Sequence, residues 1–273
     1  MQLTIDHKTT YRYEEPVSYA VQRLRLTPQD GSTQRVSSWR ILIEGGTEQA
    51  EFRDHFGNEC QLVRLDHHTE TVTITAQGQI ETLSQTGVVG AHTGLVPLWL
   101  YHRSTPLTVP GPRVSGLVGE LPGSTVAGGG APVVDIAMLH ELAALIAQRV
   151  DYLTGSTSAT DTAEDALAAG HGVCQDHAHV FISAARKLGV PARYISGYLM
   201  MTDRIEQDAS HAWAEAWVDP IGWVGFDPSN GVSPDERYVR IATGRDYEDA
   251  APISGVRFGS TPESLEVSVQ VEQ

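Results

Sequence analysis

The chain has 273 residues, and its 19 Lys and Arg stand against 34 Asp and Glu, a formal net charge of −15. Phosphate neutralisation needs a basic face, so this balance speaks against nucleic acid or an anionic membrane surface as the partner. Hydrophobic residues make up 41%, enough for a packed core and too many for a disordered chain. At roughly 150 residues per domain, the length gives one large or two modest domains. No apolar run approaches the roughly 20 residues of a membrane helix. The opening MQLTIDHKTTYRYEEP lacks the basic and apolar segments of a secretory signal, so a soluble cytoplasmic protein is expected. Cys60 and Cys174 are the only cysteines, which excludes a disulfide framework.

The first part of the chain reads as β. Leu3, Ile5, His7, Thr9, Tyr11 and Tyr13 alternate with mostly polar neighbours. Val36 to Ile43 gives a second strand, with Trp39, Ile41 and Ile43 on one face. Asp54 to Asn58 is a turn, since Gly and Asn tolerate positive φ. Cys60 to Leu65 and Thr71 to Ala76 supply two more strands, and the spacing suggests a small antiparallel sandwich. Residues 84–134 are Pro-rich, include the run Gly128 to Gly130, and read as a long connection with a short helix near Leu95 to His102. We place a boundary within its first part, giving a β domain over 1–88 and a second domain over 89–273.

From Asp135 the pattern turns helical. Ile136, Leu139, Leu142, Ala143, Ile146 and Val150 recur at helical spacing behind Asp135 as N-cap. Asp161 and Glu164 form a capping box for a short helix that stops at Gly170. A third helix runs from Cys174 to Leu188, with Gly189 as its C′ residue and Pro191 unable to continue it. Residues 192–201, 210–218 and 222–227 then read as strands, and Leu265, Val267, Val269 and Val271 alternate in a last one. Helices precede antiparallel strands, so this half is α+β.

Gly170-His171-Gly172-Val173-Cys174-Gln175-Asp176 carries the strongest chemical signal. A cysteine in the first turn of a helix meets unpaired N–H groups and the positive end of the dipole, which favour thiolate. Those N–H groups also suit an oxyanion. A buried structural cysteine is the plainer alternative. Cys174, not Cys60, is expected to be the reactive thiol. A thiolate nucleophile wants a histidine base, and the base an orienting group. His211 opens the segment SHAWAEAWV, in which His211, Trp213, Glu215 and Trp217 share one strand face. Asp227 ends the next strand, just before Pro228. If Asp219 to Ile221 is a three-residue loop, Val218 pairs with Gly222 and Asp227 lies diagonal to His211, roughly 7–8 Å away on the same face. A two- or four-residue loop would separate them.

The competing readings are plainer. His171, Cys174 and His177 have Zn²⁺-type donors, but no second ligand pair with recognised spacing accompanies them, so no metal and no cofactor is expected. His177 and His179 read as helix-wall residues, with His179 buried and hydrogen-bonded. His67 and His68 read as solvated. Glu215 reads as a solvated strand glutamate, and Asp203, Glu206 and Asp208 as a solvated acidic loop.

GHGVCQDHAHVFISAARKLGVPARYISGY, SHAWAEAWV and GWVGFDPSNG, in that order, resemble the core of transglutaminase-like proteins. The likeness is to the bacterial branch described as transglutaminase-like enzymes and proposed cysteine proteases. His211 follows Cys174 by 37 residues and Asp227 follows His211 by 16. The N-terminal β region and the tail RIATGRDYEDAAPISGVRFGS share the resemblance, which covers nearly the whole chain. It implies a papain-like core, with a Cys-bearing helix packed on an antiparallel sheet behind a sandwich-like β domain. It also implies Cys174 as nucleophile, His211 as base and Asp227 as orienter, in acyl transfer from a peptide or protein amide through a thioester. The acceptor is water or an amine. The alternative is a non-catalytic binding or scaffold module of the same fold. The chain departs from the family motif at His177, where a bulky apolar residue is usual. The calcium dependence of the large animal enzymes is not carried over.

Overall fold

The computed structural model describes residues 1–17, 19–124, 132–202, 204–258 and 262–273. Gly128 to Gly130 and Asp203 lie outside them. The first region holds β1 (Gln2–Val17), β2 (Ala20–Thr27), β3 (Gln34–Glu44), β4 (Gly46–Arg53), β5 (Glu59–Leu65) and β6 (Thr69–Thr82). The alternation read in β1 is real: Leu3, Ile5, His7, Thr9 and Tyr13 are buried. The turn before β5 is built on Asp54, whose Oδ1 accepts the N–H of Phe56 and Asn58 at 3.0 and 2.9 Å. Gly57 there has φ +91.

Next come β7 (Val88–Gly90) and one-turn 3-10 helices at Leu98–His102 and Pro106–Thr108. The α/β part then runs α1 (Pro112–Gly119), α2 (Ile136–Arg149), β8 (Asp151–Tyr152), α3 (Ala163–Ala169), β9 (His171–Gly172), α4 (Cys174–Lys187) and β10 (Ala192–Leu199). It continues through β11 (Glu206–Gln207), β12 (His211–Val218), β13 (Gly222–Phe226), β14 (Tyr238–Gly244) and α5 (Tyr247–Ala250). The chain ends with β15 (Ile253–Arg257) and β16 (Glu263–Glu272). Asp135 caps α2 through Met138 N at 2.9 Å, as its position predicts. The capping box of α3 is Thr162 with Asp165, one residue later than Asp161 with Glu164. Glu164 instead caps α1, accepting the N–H groups of Gly111, Arg113 and Val114.

Two antiparallel sheets, ordered β11-β16-β1-β6-β3 and β15-β2-β5-β4, form the sandwich. Its core includes Leu3, Ile5, Leu24, Val63, Val72 and Ile74. The division at residue 88 assigns the last two strands to the second region, yet they return to the first: Ile5 faces Val271 and Leu24 faces Ile253. The core sheet, ordered β14-β10-β12-β13-β7, is also antiparallel. Tyr198 of β10 and Val239 and Ile241 of the edge strand β14 join the sandwich core. Its front meets α4. The alternating Ala212, Ala214 and Ala216 of β12 present a small-residue face there, so that Ala178, Phe181, Ile182 and Ala185 of the helix pack closely.

Arg186 fixes the far end of α4. Its guanidinium is buried and donates to Tyr101 O at 2.8 Å, Thr108 Oγ1 at 2.8 Å, Ala192 O at 2.9 Å and Arg245 O at 2.7 Å. One side chain thus ties the connection, the helix, β10 and the end of β14. Arg186→Met is expected to cost on the order of 4 kcal/mol by leaving several buried acceptors unpaired. Urea denaturation checks this, and a loss below about 1 kcal/mol would refute the staple.

Candidate active site

The site begins with the β12–β13 hairpin. Val218 pairs with Gly222, Trp217 with Trp223 and Glu215 with Gly225 across the three-residue loop, so paired numbers sum to 440. That register keeps Asp227 on the face of His211. Asp227 follows the last residue of β13, and its backbone is held by a bridge to Val232, with N–H to O at 2.9 Å.

The carboxylate of Asp227 has no exposed surface. Its Oδ2 accepts His211 Nε2 at 2.6 Å, Asn230 Nδ2 at 2.8 Å and the Tyr238 hydroxyl at 2.8 Å. Its Oδ1 accepts Ser229 N at 3.0 Å, Ser229 Oγ at 2.6 Å and Asn230 N at 3.3 Å. Burial opposes its ionisation, but the His211 charge and these donors hold it well below the usual carboxylate range. Burial likewise opposes a charge on His211. The charges of Cys174 and Asp227, and hydrogen bonds to both, outweigh it and raise the imidazole to about 10. With Nε2 on Asp227, Nδ1 is left for the Cys174 sulfur. The ring stacks on Trp213 at 6.3 Å and meets the edge of Tyr238 at 5.8 Å. The structure thus brings Cys174, His211 and Asp227 together.

Cys174 is the first residue of α4. Asp176 Oδ2 accepts Val173 N at 2.8 Å and the Thr157 hydroxyl at 2.8 Å, which fixes the turn into the helix. Burial pushes the Asp176 pKa up. Gly172 leaves this carboxylate its space, since a Cβ there would stand 2.7 Å from Asp176 Cβ. Gly170, at φ +71, ends α3. His177 is buried, with Nδ1 on Val173 O and Nε2 on Val150 O, each at 2.9 Å. Both partners are backbone carbonyls, one from each helix end. His177 therefore clamps the start of α4 to the end of α2. Among the described residues no group of three or more His, Cys, Asp or Glu is arranged to hold a metal ion.

Cys60 is fully buried, beside Asp54, and burial raises its pKa. His179 is buried and its Nε2 accepts Tyr247 N at 3.2 Å. Glu215 is not solvated: it is buried and ion-paired with Arg193 and Arg240. Two features escape sequence reasoning. Tyr238 donates to Asp227 from a segment without a motif. Tyr152, 53% exposed, stands near Cys174 because β8 pairs in parallel with β9, and its hydroxyl, raised mainly by burial, also feels the charges of Cys174 and Asp227.

Residues 3–81 match the model of the bacterial transglutaminase-like N-terminal region, and residues 123–228 that of the transglutaminase-like superfamily. A Mycobacterium leprae protein is 32% identical, with 99% of this chain and 98% of that protein aligned. A Mycobacterium tuberculosis protein is 30% identical, with 98% and 91% aligned. A Pseudomonas aeruginosa protein-glutamine gamma-glutamyltransferase is 31% identical over 33% of this chain and 15% of its own length. A Cytophaga hutchinsonii crystal structure, described as a candidate cysteine protease, shares the fold with a TM-score of 0.74. It is 22% identical, covering all of this chain and 91% of that one.

The His211–Asp227 pair gives stability a definite pH dependence. The raised imidazole contributes fully below its ordinary 6.5, declines above it and is lost as pH passes about 10. The depressed Asp227 contributes above its ordinary 3.8 and is lost as pH falls below that. The urea midpoint of the wild type should therefore exceed that of His211→Gln by a margin that shrinks from neutral to alkaline pH. ¹⁵N NMR should show the imidazolium persisting toward pH 10, and Asp227→Asn should lower that titration. An imidazole titrating near 6.5 in the wild type would contradict both.

Proposed function

The chain belongs to the transglutaminase-like superfamily, and within it we propose a cysteine-dependent acyl-transfer enzyme acting on peptide or amide bonds. The observation that carries this reading is the buried 2.6 Å His211–Asp227 hydrogen bond with Cys174 on the other side of the ring. The Cys174 thiolate adds to the amide carbonyl, forming a C–S bond as the carbonyl electrons move onto oxygen. The backbone N–H of Cys174, without an intrahelical partner at the helix start, is the nearest donor for that oxyanion. His211 protonates the leaving amine as the C–N bond breaks, and a thioester remains. His211 then takes a proton from water, whose oxygen adds to the thioester carbonyl; the C–S bond breaks, freeing the acid and returning the Cys174 thiolate. An amine in place of water yields a new amide. Hydrolysis is the default, since water needs no second binding site. The gamma-glutamyltransferase similarity supports glutamine amides as one class of acyl donor. Asp227 keeps the imidazole oriented and charged, and Tyr238 positions Asp227. We place the reaction in the cytoplasm, where a free thiol stays reduced.

Hydroxylamine tests this chemistry without a known acceptor, because it captures the thioester as a hydroxamate. With a casein digest as donor, the wild type should form hydroxamates and Cys174→Ala none. His211→Ala should be nearly inactive, since base and acid are lost together. Asp227→Ala should lose on the order of 10²–10⁴-fold, less than Cys174→Ala. Tyr238→Phe should lose about tenfold, in kcat and not in KM, with a shifted pH profile. Unchanged activity in Cys174→Ala would end the proposal, and an Asp227→Ala protein slower than Cys174→Ala would overturn the assigned roles.

A further inference from the structure

The face of the core sheet turned away from α4 carries a polar constellation that the thiol chemistry does not use. Glu215 on β12 is 1% exposed. Its Oε2 accepts Arg193 Nε at 2.7 Å and lies 2.6 Å from Arg193 Nη2, and its Oε1 lies 3.0 Å from Arg240 Nη1. The Arg193 guanidinium also lies 4.0 Å over the Trp223 ring, and Arg240 Nη2 donates to Thr243 Oγ1 at 2.9 Å. The charges do not balance. Two guanidinium groups face one carboxylate, and among the described residues neither has a second acidic ion-pair partner. A net positive charge thus sits on partly exposed side chains, 11% for Arg193 and 19% for Arg240, in a chain whose formal net charge is −15.

Arg193 and Arg240 line a groove of about 750 Å³ between the core sheet and the sandwich. Its far wall is the Gln29 to Thr33 turn with Arg53 and Phe56. Of the charged groups on that wall, Arg53 pairs with Glu59, and Asp30 is exposed with its Oδ1 on Val36 N at 2.8 Å. Water screens an exposed carboxylate, so Asp30 does little for the charge beneath. The unmatched positive charge on the groove wall, with guanidinium N–H groups as donors, favours an anion there. Guanidinium forks suit paired terminal oxygens. The groove has the volume of a small-molecule site, larger than a bare ion needs.

We propose that this groove binds a small molecule bearing an oxyanion, carboxylate or phosphate, held by Arg193 and Arg240 above Glu215. The site is separate from Cys174 and does not depend on the thiol reading. Calorimetric titration of the full chain with inorganic phosphate and with malonate, at fixed ionic strength against chloride, tests it. At least one should bind saturably, one per chain, and raise the melting temperature with its concentration. Whichever binds more tightly identifies the oxyanion class. Arg240→Gln should weaken that binding about tenfold or more. Should that variant fail to fold, Arg240→Lys keeps the charge but loses the fork and should weaken it likewise. No binding of either anion beyond the chloride control, or binding undiminished in the folded variants, would overturn the site.

Discussion

Asp227 is an ionised carboxylate buried out of reach of water, and the surrounding structure is arranged to keep it charged. Burial alone would protonate it. The imidazolium of His211 supplies the opposing charge, while Ser229, Asn230 and Tyr238 fill its remaining acceptor sites. Each partner favours the other's charge: the carboxylate, after the charge of Cys174, raises the imidazole, and the imidazole lowers the carboxylate. A loop one residue longer or shorter between β12 and β13 would turn Asp227 to the other face of the sheet.

Cys174 meets this pair because α4 is fixed at both ends. Asp176 and His177 hold the first turn through Val173 N, Val173 O and Val150 O. Arg186 holds the last turn through four acceptors on separate segments. Between them the alanine face of β12 lets the helix lie close to the sheet. His211 is the first residue of β12, and from that strand end its ring reaches Cys174, although on the same face Trp213 packs on Tyr238 and Glu215 pairs with Arg193 and Arg240. One strand thereby serves both the thiol side of the sheet and the arginine-lined groove behind it.

Much of this was legible in the sequence because local physics decides it. Period-two burial marks β1, Asp135 caps α2, and Gly170 and Gly189 end their helices. Arithmetic on one loop predicts the β12–β13 register, and helix-start logic with that hairpin points to Cys174, His211 and Asp227. The misreadings share a cause: partners distant in sequence. Glu215 looked solvated because Arg193 and Arg240 lie 22 and 25 residues away on other strands. β4 (Gly46–Arg53) is almost wholly exposed and has no apolar alternation to announce it. The α3 cap shifts by one residue because Glu164 is engaged at the start of α1. The return of β15 and β16 to β2 and β1 spans nearly the whole chain, beyond any local signal.

The central claim is that Cys174, His211 and Asp227 act as one unit. The most direct measurement is the rate of iodoacetamide alkylation at neutral pH, resolved by peptide mapping, in the wild type and in Asp227→Asn. The account predicts that Cys174 is modified well ahead of the buried Cys60. It also predicts that Asp227→Asn slows Cys174 by about tenfold or more, because the carboxylate that orients the imidazole toward the sulfur is lost. Modification of Cys60 first, or an unchanged Cys174 rate in Asp227→Asn, would contradict it.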